Sequence, residues 1–372
     1  MKKIDIPIKI NNIDMDSLVI SGNNDLIVNG QTINPNLISI KNKSENNILL
    51  SKEELIYLYN LYNQNKFNNY EKCLIGTILS NRDLYQDLAY IFDCSVDEIT
   101  DNSDEVAKNP NKYVVLLNNF YSDYRYNKNN KYRLKYIYGY LDCHFNYGNT
   151  DMFSSLEIVG SYVNIDNNKK NLNLNKLKYV GGEFYIVDLT ESNSLTNLEY
   201  IGGNADFANL TEVTGLKNLS VVLGYAGFDG IKNADGLNNL KYIGGDAAFL
   251  SLKDAQGLEN LRYIGKDAKF NSLSESTGLN KLQIIGGYAL FNELIDASSL
   301  YNLRYIGGNA YFRKLEIATG LDSLTIIEGE AWFDSLKNAT DLKNLVYCRD
   351  IKMSNRENSK IKKKIKLAYW NK

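Results

Sequence analysis

His144 is the single histidine of the chain, and it stands directly beside Cys143. A thiol next to an imidazole is the pairing from which a nucleophile and its base are built. Neighbours on a strand, however, point to opposite faces. The repeat described below turns Cys143 inward and His144 outward, so the two do not read as a catalytic pair. Cys73, Cys94 and Cys348 are scattered without metal-type spacing. They read as free thiols, which suits a reducing compartment. Asp246 and Asp267 would stack one coil apart, either holding a cation or standing as solvated loop residues. The recurring Gly-Gly pairs lead into strands, whereas phosphate cradles open helices. The reading is a non-enzymatic protein with no metal and no cofactor.

The charged groups point the same way. A net charge of −2 gives no general attraction to nucleic acid or to an anionic membrane. The basic tail is the exception. Lys360, Lys362, Lys363, Lys364 and Lys366 lie close to Tyr369 and Trp370, a mixture that can hold single-stranded nucleic acid. A solvated helix over residues 351–372, with Ile361 and Ile365 on one face, would instead cap what precedes it. No apolar run is long enough to span a membrane, and MKKIDIPIKINN has no apolar h-region. A cytoplasmic location is expected.

What must position all these groups is a repeat. Phenylalanine recurs at Phe207, Phe228, Phe249, Phe270, Phe291, Phe312 and Phe333. Leucine keeps the same interval from Leu198 to Leu345, and alanine from Ala205 to Ala331. Self-similarity of this length is the mark of a solenoid. Degraded copies anchored at Leu134, Leu156 and Leu177 extend the array to about ten coils over residues 132–350, with atypical first coils as an end requires.

One unit reads L-x-x-L-x-Y-I-G-G-x-A-x-F-x-x-L-x-x-A-x-G. In the coil starting at Leu237, inward positions fall on Leu237, Leu240, Ile243, Ala247, Phe249, Leu252 and Ala255. Gly244-Gly245 makes a corner and Gly257 turns into the next coil. Asn218, Asn239, Asn260, Asn302 and Asn344 recur just before the second Leu; they form either a hydrogen-bonding ladder or a row of exposed turn residues.

The pattern L-x-x-L-x-x-I-x-G-x-A-x-F resembles the leucine-rich repeat, and within it the variant of receptor L domains. Two features depart from it. Ser251, Ser272 and Glu293 stand where an Asn would follow the strand, and the inward strand pair is Ala–Phe. A generic parallel β-solenoid therefore stays open beside it. The resemblance implies a protein-recognition surface.

Before the array, residues 1–131 read as an α+β region with strands over 3–45 and helices over 51–108. LISIKN reads as the last of those strands. Asn29-Gly30 and Gly22-Asn23-Asn24 are turn signals. Ser51 with Glu54, and Ser95 with Glu98, have capping-box spacing. LAYIFDCSVDEI has the outline of a helix-turn-helix, but Asp97, Glu98, Asp101, Asp104 and Glu105 carry the wrong sign for phosphates. A helical hairpin packed on its neighbours fits better.

The remaining candidates are outward positions on the strand. Leu290, Tyr311 and Trp332 would stack into an apolar ladder, flanked by Tyr288, Arg313 and Tyr225. Clusters of Trp, Tyr and Arg are what interface hot spots are made of, unless another part of the chain covers them. The expected function is protein binding through this sheet, as an inhibitor or adaptor of the kind phages and mobile elements encode against host factors. The alternatives are nucleic-acid contact through Lys360, Lys362, Lys363, Lys364, Lys366 and Trp370, or a structural subunit of a larger assembly.

Overall fold

The computed structural model describes residues 82–122, 131–145, 151–167, 173–187 and 189–353, three early strands, and isolated positions between 40 and 79. The chain divides into two compact units, 1–168 with 172–183, and 169–171 with 184–372. Both contain parallel β-coils, about ten in all, and helices are few.

In the first unit, β1 (Ile6–Ile10), β2 (Ile13–Ile20) and β3 (Leu26–Val28) form a small antiparallel sheet. Both expected turns, at residues 22–24 and 29–30, lie outside the described residues. Ile40, expected in a strand, is helical instead. Its side chain is buried in an apolar cluster with Leu55, Leu58, Ile75 and Ile78, and that burial outweighs its β-branched preference. The Ser51 capping box forms as expected: Glu54 donates its N–H to Ser51 Oγ at 3.2 Å, and Ser51 N–H donates to Glu54 Oε2 at 2.9 Å.

Helix α1 (Leu84–Phe92) starts where Asp83 accepts the N–H groups of Tyr85 and Gln86. It ends at Asp93, which has a left-handed φ of 50°. Leu88, Ile91 and Phe92 lie on its buried face. Phe92 stacks on Tyr136 at 5.1 Å. The cluster continues through Val115 and Ile158, so a helical layer covers the outer side of the first coil strands in this unit.

The expected helical hairpin does not form. Val96–Glu98 is a single 3-10 turn, and β4 (Ile99–Thr100) follows at once. Ile99 is buried and pairs in parallel with Val115, so sheet pairing and burial claim the segment that would have been a second helix. A short helix, α2 (Ser103–Lys108), comes after it.

In the second unit the coils repeat with the same register until the last. Ala205, Ala226, Ala247, Ala268, Ala289, Ala310 and Ala331 are successive Cα partners. The phenylalanines stack inside, with ring centroids 5.1 to 5.4 Å apart from Phe207 to Phe333. Up to Ala310–Tyr311 each coil carries two strands, not the one read from the sequence; the last two run as single strands, Ile326–Phe333 and Tyr347–Met353. Tyr242–Ile243 pairs in parallel with its equivalents, as does Ala247–Ala248. The Gly-Gly corner between them answers to close approach, not to positive φ: a Cβ on Gly286 would lie 2.1 Å from the carbonyl oxygen of Gly265. Positive φ falls instead at the coil-to-coil turn, as at Gly257 (φ +100).

The five asparagines form a ladder. Each Nδ2 donates to a carbonyl 22 residues earlier, as Asn260 does to Asn238 at 2.6 Å and Asn344 to Asp322 at 2.6 Å. Asn218, Asn239 and Asn302 do the same at 2.6 to 2.7 Å. Carbonyls at a corner, which a sheet would otherwise leave open, are satisfied this way.

Candidate functional site

The second strands place alternate side chains outward, and register aligns them coil upon coil. Leu290 is partner to Tyr311, and Tyr311 to Trp332. The Tyr311 and Trp332 rings stack at 4.5 Å and 10°. Cations close both ends of this pair. Arg313 Cζ lies 5.6 Å from the Tyr311 ring, and Lys352 Nζ lies 4.4 Å from the Trp332 ring. Lys352 also donates to Glu330 Oε2 at 2.8 Å, which with Asp350 raises its pKa. Asn309 Nδ2 donates to the Tyr311 hydroxyl at 3.3 Å. Two half-buried aromatic rings thus stand face to face on the outward side, with polar groups around them.

Four of the six candidates therefore converge: Leu290, Tyr311, Trp332 and Arg313. Tyr288 stands on the neighbouring outward position, 47% exposed, with its ring against Gly308, where a Cβ would lie 2.3 Å from Tyr288 Cδ1. Tyr225 is set apart, three coils from Tyr288, or about 14 Å at strand spacing. Its ring lies across Gly227, whose Cβ would meet the Tyr225 hydroxyl at 2.5 Å. Burial, aided by Asp229, Asp206 and Asp246, pushes its phenol up to about 12.

Lys352 escaped the sequence reading for a definite reason. The last coil is one residue short at its corner, so Ile327 pairs with Cys348 but Glu330 pairs with Asp350. Trp332 is thereby matched to Lys352, one position off the period. A second stacked pair, Tyr140 on Tyr162 at 4.6 Å in the first unit, was hidden by its degraded coils.

Asp246 and Asp267 are fold elements. Asp246 Oδ1 accepts the Asp267 N–H at 3.2 Å, and Asp267 Oδ1 accepts the Tyr288 N–H at 2.8 Å. Among the described residues no group of three or more His, Cys, Asp or Glu is arranged to hold a metal. Cys143 is fully buried, and the His144 backbone pairs with Asp166. Cys348 is buried too, and that burial pushes its thiol up to about 12, far from a reactive thiolate at neutral pH. Lys360, Lys362, Lys363, Lys364, Lys366 and Trp370 lie outside the described residues.

No protein-family model matches the chain, and no curated protein matches it.

Proposed function

We propose that this chain is a non-enzymatic, cytoplasmic protein-binding solenoid of leucine-rich-repeat kinship, and that it grips a protein partner on the open face of its second strands near the last coils. The observation that carries this reading is the Tyr311–Trp332 stack. The phenylalanines of the repeat are packed inside, whereas these two rings are on the outside, half-buried, stacked face to face and braced by Arg313 and Lys352. A pre-ordered aromatic surface loses little entropy on binding and excludes water over a wide area. An inhibitor or adaptor acting on a host protein is the role this surface suits.

The test is affinity capture from host lysate at moderate salt, wild type beside Leu290→Ser/Tyr311→Ser/Trp332→Ser. A partner held by the wild type and lost by a variant with an unchanged melting curve supports the face. Equal capture by both proteins overturns it. Capture of nucleic acid alone, lost on removing residues 359–372 and steeply weakened by salt, would move the function to the tail.

A further inference from the structure

The face just described continues past Leu290, away from its aromatic end, into a stretch with an excess of negative charge. Asp206, Asp229, Asp246 and Asp267 stand outward on four successive coils; Lys269 is the one cation among the outward second-strand positions there, and the exposed Lys266 stands at the corner before Asp267. Lys269 lies 3.4 Å from Asp246.

The fold does not need these charges. Asp246 and Asp267 each take the N–H of the next coil, and Asn204 and Asn309 make the same bond at 2.9 Å. Asp206 accepts the N–H of Ala208, a local turn that asparagine also makes. At the position of Asp229, the later coils carry Asn271 and Asn292. An amide would serve in every case. At one of them charge is opposed: burial, and after it Asp206, raises the Asp229 carboxyl, while the Leu250 backbone and Lys269 lower it. Charge retained against the interest of stability is characteristic of functional surfaces.

The surroundings suit a cation. Ala248 keeps the floor low beside Asp246, and the Tyr225 ring covers Gly227. Tyr225 and the exposed Tyr288 and Leu250 offer ring faces and apolar surface to the stem of a long basic side chain. Phosphates would be repelled.

We infer that the partner presents a lysine- or arginine-rich protein segment, whose cations lie over Asp206, Asp229, Asp246 and Asp267 while its apolar side chains reach Leu290, Tyr311 and Trp332. This rests on the functional reading above and adds the partner's chemistry to it. Opposite charge would speed encounter and set the direction in which the segment lies.

The test uses the full chain and fluorescence anisotropy with two labelled peptides, one repeating Lys-Leu-Arg-Tyr and one repeating Glu-Leu-Asp-Tyr. The expected result is binding of the basic peptide alone, weaker at high salt. Asp206→Asn/Asp246→Asn/Asp267→Asn should weaken it about tenfold or more with a melting temperature equal to or above that of the wild type. Asp246→Asn alone, which copies Asn204, serves should the triple variant not fold, and should still weaken binding measurably. No binding of the basic peptide, equal binding of both peptides, or wild-type binding by the Asn variants overturns the inference. If the Asn variants still capture the lysate partner but Tyr311→Ser/Trp332→Ser does not, the cationic partner falls and the binding face stands. If neither set of variants loses the partner, the functional reading falls as well.

Discussion

The two strands of one coil have opposite outer faces. On the first strand, the outward side chains of the central coils are shut away from solvent: Val221 is 1% exposed, Tyr242 8%, Tyr263 5% and Ile284 1%. On the second strand, apart from the small Gly227 and Ala248, the side chains in the same direction are half-buried or exposed, and Tyr311 and Trp332 are braced by cations. The first unit repeats half of this contrast, since its helical layer buries Tyr136 and Ile158 on the first-strand side. Both faces carry aromatic ladders. Tyr242 stacks on Tyr263 at 4.7 Å, and Tyr311 on Trp332 at 4.5 Å. An aromatic ladder therefore does not by itself say whether it belongs to a core or to a binding surface. Burial decides that, and with it whether losing the ladder costs folding or recognition.

The contrast can be broken at several strengths. The reference is the interior: Phe270→Ala opens a cavity between two stacked rings and should cost about 3–5 kcal/mol in denaturant unfolding. Tyr242→Ala, on the closed face, should cost about 3 kcal/mol by the same measurement. A cost near zero would mean that this face is open too. Asn260→Ala leaves the Asn238 carbonyl without its donor and should cost about 1–2 kcal/mol. Tyr311→Ser, on the open face, removes one stacking partner and should cost about 1 kcal/mol or less. A value near that of Tyr242→Ala would place Tyr311 in a core and remove it from any binding surface.

Alkaline pH sharpens the same comparison. Burial raises the phenols of Tyr242 and Tyr263, and pushes that of Tyr225 up to about 12. A raised folded value means the native state holds the proton more tightly than the unfolded chain, whose tyrosines titrate near about pH 10. The stability they contribute is complete below that pH and is lost as pH rises through the folded values. Phenolate absorbance followed beside circular dichroism should show Tyr242 and Tyr263 ionising only as the fold is lost. Ionisation of all tyrosines near pH 10 with the fold intact would contradict the closed face.

How much of this was legible beforehand follows from where each piece of information resides. The strict recurrence of Leu, Ala and Phe reached the fold and the inward set directly, because stacking identical coils buries the same position in each. It also aligned Leu290, Tyr311 and Trp332. Periodicity treats every coil as identical, so it missed the shortened last corner that brings Lys352 over Trp332. It could not tell an asparagine ladder from a row of turn residues, since both have one period and differ only in where Nδ2 points. Nor did it expect Ile99 in a strand, because that strand exists through its pairing with Val115.

By itself, then, the sequence determined the period, the interior of the coil and the order of side chains along the outward rows, all of which are set by local chemistry repeated at a constant interval. Only the tertiary structure decided that most coils carry two strands, that one outer face is closed and the other open, and which cations brace the aromatic pair. Those depend on contacts between residues 20 or more apart in the chain, which a period in the sequence does not record.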